Sequence, residues 1–194
     1  MYRGNIPILH KKFSQTEVLA SMVSPSSRNT PVNPKATAPT SISDPHLFID
    51  FSLLTKFGEE GIAFDIEDHF FMNNSRGNLI HYELHKLLMK GLVLRDVGPI
   101  YDQVITDLRQ QLLSTGNFPR IIYIHCKAGI DRTGAIIAGY SMRYLGYSYN
   151  KAIAINISQG LNREPDYYST IGIKYYARYL RDTIGIKTIG KIPD

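Results

Sequence analysis

The chain is predicted to be α/β: a central, mainly parallel, twisted sheet of four to five strands flanked by helices, with a mostly helical C-terminal part. Three observations predict it. Short apolar, β-branched runs such as 47–51 and 121–124 have the length and composition of buried strands. Segments of helical period alternate with these runs, the order that a parallel sheet with crossover helices requires. Beyond Gly134 the apolar residues recur only at helical spacing.

The 194 residues give room for one ordinary domain with a sizeable core, plus an extension. Six of the ten prolines lie within residues 1–45, among many Ser, Thr and Asn, and 29–43 reads as linker or wrapped extension. Residues 1–45 are therefore expected to be an N-terminal extension and 46–194 the domain proper. Within the extension, 7–9 and 18–20 are apolar enough to pack on the domain as short elements.

Within the domain, 47–51 reads as a strand, 53–60 as a short helix ending at Gly61, and 62–66 as a second strand. Residues 67–78 are polar and turn-rich. Leu84, Leu87 and Leu88 at helical spacing predict a helix over 81–90, with Gly91 as its C-cap. A short buried strand follows at 92–94. The helix over 99–114 would bury Ile100, Val104, Leu108 and Leu112, and the central strand over 121–124 comes after it. A helix beginning near Arg132 then carries Ile136, Ile137, Tyr140 and Tyr144 on one face and stops at Gly146. Two more are expected over 149–158 and 166–182, the last turning Tyr168, Ile171, Tyr175 and Tyr179 toward the core.

Composition narrows the setting. A single cysteine excludes an intramolecular disulfide framework and fits a reducing compartment, so a cytoplasmic location is expected. No apolar run is long enough to span a bilayer, and residues 1–13 carry lysines with no continuous apolar core after them, so neither a transmembrane segment nor a secretory leader is expected. The net charge of +5 and pI of about 9.2 favour anionic partners. The basic residues are scattered, with no long block, so nucleic acid is not the expected partner. The chain is expected to act as a monomer.

The chemistry concentrates in His125-Cys126-Lys127-Ala128-Gly129-Ile130-Asp131-Arg132-Thr133-Gly134. Here a strand ends, a glycine-containing turn follows and a helix begins. A loop capped by a helix N-terminus aims free N–H groups and the positive end of the helix dipole into one concavity, which suits an anion. The same field favours thiolate at Cys126. Arg132 adds a planar fork for two phosphate oxygens. Gly129 and Gly134 permit unusual backbone angles and close approach. Thr133 offers a hydroxyl beside the sulfur, and His125 braces the loop.

This pattern, His-Cys-x5-Arg-Thr-Gly, resembles the signature of the cysteine-dependent protein tyrosine and dual-specificity phosphatases. The resemblance implies a dual-specificity-phosphatase-like fold and double displacement through a cysteinyl-phosphate, with no metal or other cofactor. Cys126 would be the nucleophile. Lys127, Ala128, Gly129, Ile130, Asp131 and Arg132 would form the phosphate cradle, and Thr133 would assist departure of the thiolate. The leaving oxygen also needs a proton. Asp96 ends the 92–94 strand thirty residues before Cys126, where dual-specificity phosphatases carry their general acid. Asp102 is a second choice, inside the following helix.

The substrate stays open between phosphotyrosine-containing protein, with phosphoserine or phosphothreonine in addition, and phosphoinositides or inositol phosphates. Lys127-Ala128-Gly129 resembles the loop of tensin-type lipid phosphatases. Aspartate immediately before the arginine recurs in myotubularin-like phosphatases, where it has been proposed as the acid, so Asp131 rivals Asp96. The alternatives are an RNA 5′-phosphatase of the same superfamily and a catalytically silent phosphate-binding module. Gln159, read in a loop beyond the motif helices, is either a solvated glutamine or, as the resemblance to classical tyrosine phosphatases implies, the residue that positions the hydrolytic water. His81 and His85, one helical turn apart with Glu83 between, have a zinc-binding spacing without a third ligand, and no metal site is expected.

Overall fold

The computed structural model describes residues 1–9, 11–23, 46–75, 77–84, 96–160 and 162–193. These fall into two compact units, Met1–Glu83 with Gln111–Gly129 and Leu84–Gln110 with Ile130–Asp194. The expected 92–94 strand, most of the 81–90 helix, His85 and the 29–43 linker lie outside the described residues. The α/β class holds: a four-stranded parallel sheet, with six α-helices among the described residues.

The first unit is the sheet. Its strands are β1 (Tyr2–Gly4), β4 (Leu47–Ser52), β5 (Gly77–His81) and β6 (Arg120–His125), in the order β1-β6-β4-β5. The inner strands β4 and β6 are buried along almost their whole length, as parallel strands covered on both faces must be. A two-stranded antiparallel ribbon, β2 (Ile8–Leu9) with β3 (Lys12–Phe13), precedes α1 (Gln15–Val23). Phe13 and Val18 from these pieces join Phe48, Phe71 and Tyr123 in one apolar cluster. Residues 2–23, expected to lie in the extension, thus supply an edge strand and part of the core of this unit.

Two elements differ from expectation. Residues 53–66, read as a short helix and a strand, are instead a loop and most of α2 (Gly58–Met72), which also takes in much of the stretch read as turns. Gly61 does not end a helix; its N–H donates to the Phe57 carbonyl in the first turn. Burial of Gly61, Ala63, Phe64, Glu67 and Phe71 follows the helical period, and the buried Glu67 hides it from a hydrophobicity count. The polar stretch before His81 is edge strand β5, and His81 ends a strand rather than opening a helix.

The second unit is helical: most of α3 (Val97–Leu113), then α4 (Asp131–Tyr144), α5 (Tyr149–Gln159) and α6 (Tyr167–Asp182). Ser148 and Asp166 cap α5 and α6 by accepting from Lys151 N–H and Ser169 N–H. Polar ties hold α3 to its neighbours. Tyr176 donates to Asp102 Oδ1 at 2.9 Å, and Arg109 donates to the Tyr140 hydroxyl at 2.7 Å. The face of α6 is rotated from expectation: Ser169, Gly172, Ile173, Tyr176, Ala177 and Leu180 are buried, while Tyr168 is exposed. Small residues win this face because they let α3 come close, and a Cβ on Gly172 would strike the Tyr101 ring and hydroxyl.

Candidate functional site

In the first unit, β6 ends at His125 and hands the chain directly to Cys126, a free thiol that is 1% exposed. The Leu53 N–H donates to the His125 carbonyl at 2.9 Å, extending the β4–β6 ladder by one bond and holding the base of the loop. Gly129 has φ +70°, a left-handed conformation that disfavours any other residue, and a Cβ there would meet the Gly4 carbonyl. Lys127 reaches out to Glu59, in the first turn of α2, at 3.0 Å. Both side chains are well exposed, so the pair adds little to stability and Lys127 is readily released to an anion.

Sequence reading missed what lies behind the cysteine. His125, Asp50 and Glu67 are all fully buried. The strand register puts Asp50 opposite Tyr123 on the face that carries His125, and α2 brings in Glu67. His125 Nε2 lies 3.0 Å from Asp50 Oδ1 and 3.5 Å from Glu67 Oε1. One signal was legible: Asp50 is a carboxylate inside an apolar strand run, and such a group needs a buried partner.

Burial alone would lower the His125 pKa, but Asp50 and Glu67 outweigh it and carry it up to about 9. Burial pushes Glu67 up to about 8, against the pull of His125 and with the push of Asp50. With imidazolium, one carboxylate and one carboxylic acid, the cluster has no net charge, the state that a low-dielectric interior favours. These three residues are also the group that could hold a metal ion among the described residues, with ligand atoms within 4.8 Å of one another. Two protons serve the same charge balance, and the 3.0 Å approach of His125 to Asp50 is that of an ion pair.

The cluster makes stability depend on pH. Both groups hold protons more tightly folded than unfolded, so their contribution is complete at low pH. It is lost as pH climbs from their ordinary values, 4.5 and 6.5, through about 8 for Glu67 and about 9 for His125. The thermal midpoint is expected to fall between about pH 6 and about pH 9.5. Glu67→Gln, which mimics the neutral acid, should flatten that fall; an unchanged slope in calorimetry would contradict the assignment.

In the second unit, Asp131 opens α4 and Arg132 and Thr133 follow in its first turn. Asp131 is fully engaged. Arg163 Nη2 donates to both its oxygens at 2.8 Å, and the Asp166 N–H donates to Oδ1 at 2.9 Å. Arg132 is half-buried and Thr133 fully buried, its Oγ1 without a hydrogen-bond partner among the described residues. Gly134 lets Asn156 approach, since a Cβ there would strike the Asn156 amide. Gln159 is the last residue of α5, and its Oε1 is buried with no hydrogen-bond partner among the described residues.

Asp96 is half-buried and immediately precedes α3, which begins at Val97, two residues before Pro99. Proline is tolerated there because the first turn leaves its N–H groups unpaired anyway. Asp102 is not placed as an acid: it accepts from Tyr176 and pairs with Arg143 at 3.3 Å. His81 Nε2 donates to the Leu54 carbonyl at 2.8 Å, and Glu83 accepts from the Lys56 N–H. Among the described residues no helix is long and apolar enough to cross a membrane.

No protein-family model matches the chain, and no curated protein matches it. Among solved structures it is similar to the human tyrosine phosphatase-like serine/threonine/tyrosine-interacting protein. The two are 18% identical, the match covers 70% of this chain and 79% of that one, and the TM-score is 0.38.

Proposed function

We propose that this chain is a cysteine-dependent phosphomonoester hydrolase of dual-specificity type. It would act on phosphotyrosine-containing protein, with phosphoserine or phosphothreonine in addition, or on phosphoinositides and inositol phosphates. One observation carries the reading. The single cysteine, buried and not in a disulfide, sits at the carboxyl end of an inner strand of a parallel sheet, and the chain turns through Gly129 into a helix whose second residue is Arg132. Ligands of open parallel sheets bind beyond the carboxyl ends of strands.

The cycle has two displacements. The Cys126 thiolate attacks phosphorus and forms the S–P bond while the P–O bond to the leaving group breaks, and Asp96 gives its proton to the departing oxygen. Asp96, now a carboxylate, takes a proton from water as that water breaks the S–P bond and frees inorganic phosphate. Arg132 and the loop amides hold the equatorial oxygens throughout. Thr133 donates its hydroxyl proton toward the departing sulfur. Gln159 orients the water, as a glutamine does in the classical tyrosine phosphatases that the motif resembles. Asp131 serves as a brace, since its oxygens already accept three hydrogen bonds from Arg163 and Asp166.

Phosphate release from a panel of phosphotyrosine peptide, phosphoinositides, inositol polyphosphates and 5′-triphosphorylated RNA tests the reading. Turnover of a phosphotyrosine or inositol substrate is expected. Turnover of the RNA alone would move the assignment to RNA 5′-phosphatase. Binding of the substrates without turnover of any would leave a phosphate-binding module.

A further inference from the structure

We infer that Arg3 is a positioning residue of the phosphate loop, fixing from strand β1 the direction in which the loop's amide groups point. The inference rests on the proposed phosphatase reading and adds to it a residue outside the motif. Arg3 is 2% exposed, an unusual place for a guanidinium. Its Nε and Nη2 both donate to the Gly129 carbonyl, at 3.2 and 2.7 Å. A peptide group is planar and trans, so its C=O and N–H point in opposite directions. Holding the Gly129 carbonyl toward Arg3 therefore turns the Ile130 N–H the other way.

The next residues of the same segment repeat the device. The Ile6 N–H donates to the Lys127 carbonyl at 3.4 Å, which fixes the Ala128 N–H in the same manner. The segment is itself held. Tyr2, Arg3 and Gly4 pair with Tyr123, Ile124 and His125, and the Tyr123 hydroxyl donates to the Asn5 carbonyl at 2.9 Å. Gly129 has no room for a side chain because the Gly4 carbonyl fills that space.

An anion cradle works only if carbonyls face out and amides face in, since one inverted peptide replaces a donor with a repelling oxygen. Glycine at position 129 makes that inversion easy, and a bidentate guanidinium opposes it. The same buried cation is close enough to interact electrostatically with Cys126. Burying an arginine is costly unless it is well bonded, as Arg3 is to the Gly129 carbonyl.

The test compares Arg3→Lys, Arg3→Met and Tyr123→Phe in the full chain. Tyr123→Phe loosens the N-terminal segment without touching a loop carbonyl. Each is assayed for thermal midpoint, for kcat and KM on an aryl phosphate, and for protection of Cys126 from iodoacetamide by inorganic phosphate. Both Arg3 variants are expected to lose about ten- to a hundredfold in kcat/KM and to need correspondingly more phosphate for protection. Arg3→Lys should be the milder, because lysine keeps the charge and loses the fork. Tyr123→Phe, which leaves Arg3 its two bonds to Gly129, should lower the midpoint and weaken phosphate protection less than Arg3→Lys does.

The inference is overturned if Arg3→Lys, assayed well below its midpoint, keeps wild-type kcat/KM and phosphate protection. It is equally overturned if Tyr123→Phe impairs both as much as Arg3→Lys does. A wild-type protein that neither turns over the ester nor is protected by phosphate would instead sink the phosphatase reading itself.

Discussion

Cys126→Ser is expected to bring phosphate release down to background, a loss on the order of ten-thousandfold or more, while the chain stays folded. Replacing sulfur by oxygen removes one atom's worth of volume difference and no contact partner, so a buried residue that is 1% exposed tolerates it. What changes is chemistry. A serine hydroxyl is almost wholly protonated near neutral pH and is a far weaker nucleophile than a thiolate, the form in which the proposed mechanism uses cysteine. Inorganic phosphate should still bind, because Arg132 and the loop amides remain. Phosphate release together with thermal unfolding in the presence of phosphate checks both halves. A serine variant that hydrolyses esters at the wild-type rate would remove Cys126 from the mechanism, and with it the proposed class.

How much of this was legible in the sequence depends on the range of the interaction. Strand 47–52 and the helices from Asp131 onward were readable because local period and caps agree with tertiary burial. In α2 they disagree: Glu67 sits on the buried face beside His125, so the apolar period breaks where that buried polar contact lies. In α6 the count of large side chains favoured the tyrosines, but packing favoured Gly172 and Ala177. Strand β1 is three residues long and pairs with residues more than a hundred positions away, so no window over the sequence could detect it. The motif was legible because its parts are contiguous. Arg3 was not, because only the folded sheet brings it to the loop, and of Asp50 the sequence showed a carboxylate in an apolar run but not its partner His125.

The second large effect separates two aspartates. Asp96→Asn is expected to lower kcat by about a hundred- to a thousandfold on esters with poor leaving groups, the usual range for loss of a general acid. The loss should shrink on p-nitrophenyl phosphate, whose leaving oxygen departs without a proton. Asp131→Asn should behave otherwise. Its carboxylate anchors α4 to the 163–166 segment through Arg163 and the Asp166 amide, and asparagine keeps one acceptor for them. That partly exposed pair is worth about 1 kcal/mol or less, so a small drop in midpoint is expected, with kcat within a few-fold of wild type on every leaving group. A proton donor has to aim an O–H at the departing oxygen, and both oxygens of Asp131 already face a guanidinium that cannot accept one. Should Asp131→Asn instead show the leaving-group-dependent loss while Asp96→Asn stays active, the acid would have to be Asp131, and Arg163 would have to release it in each turnover.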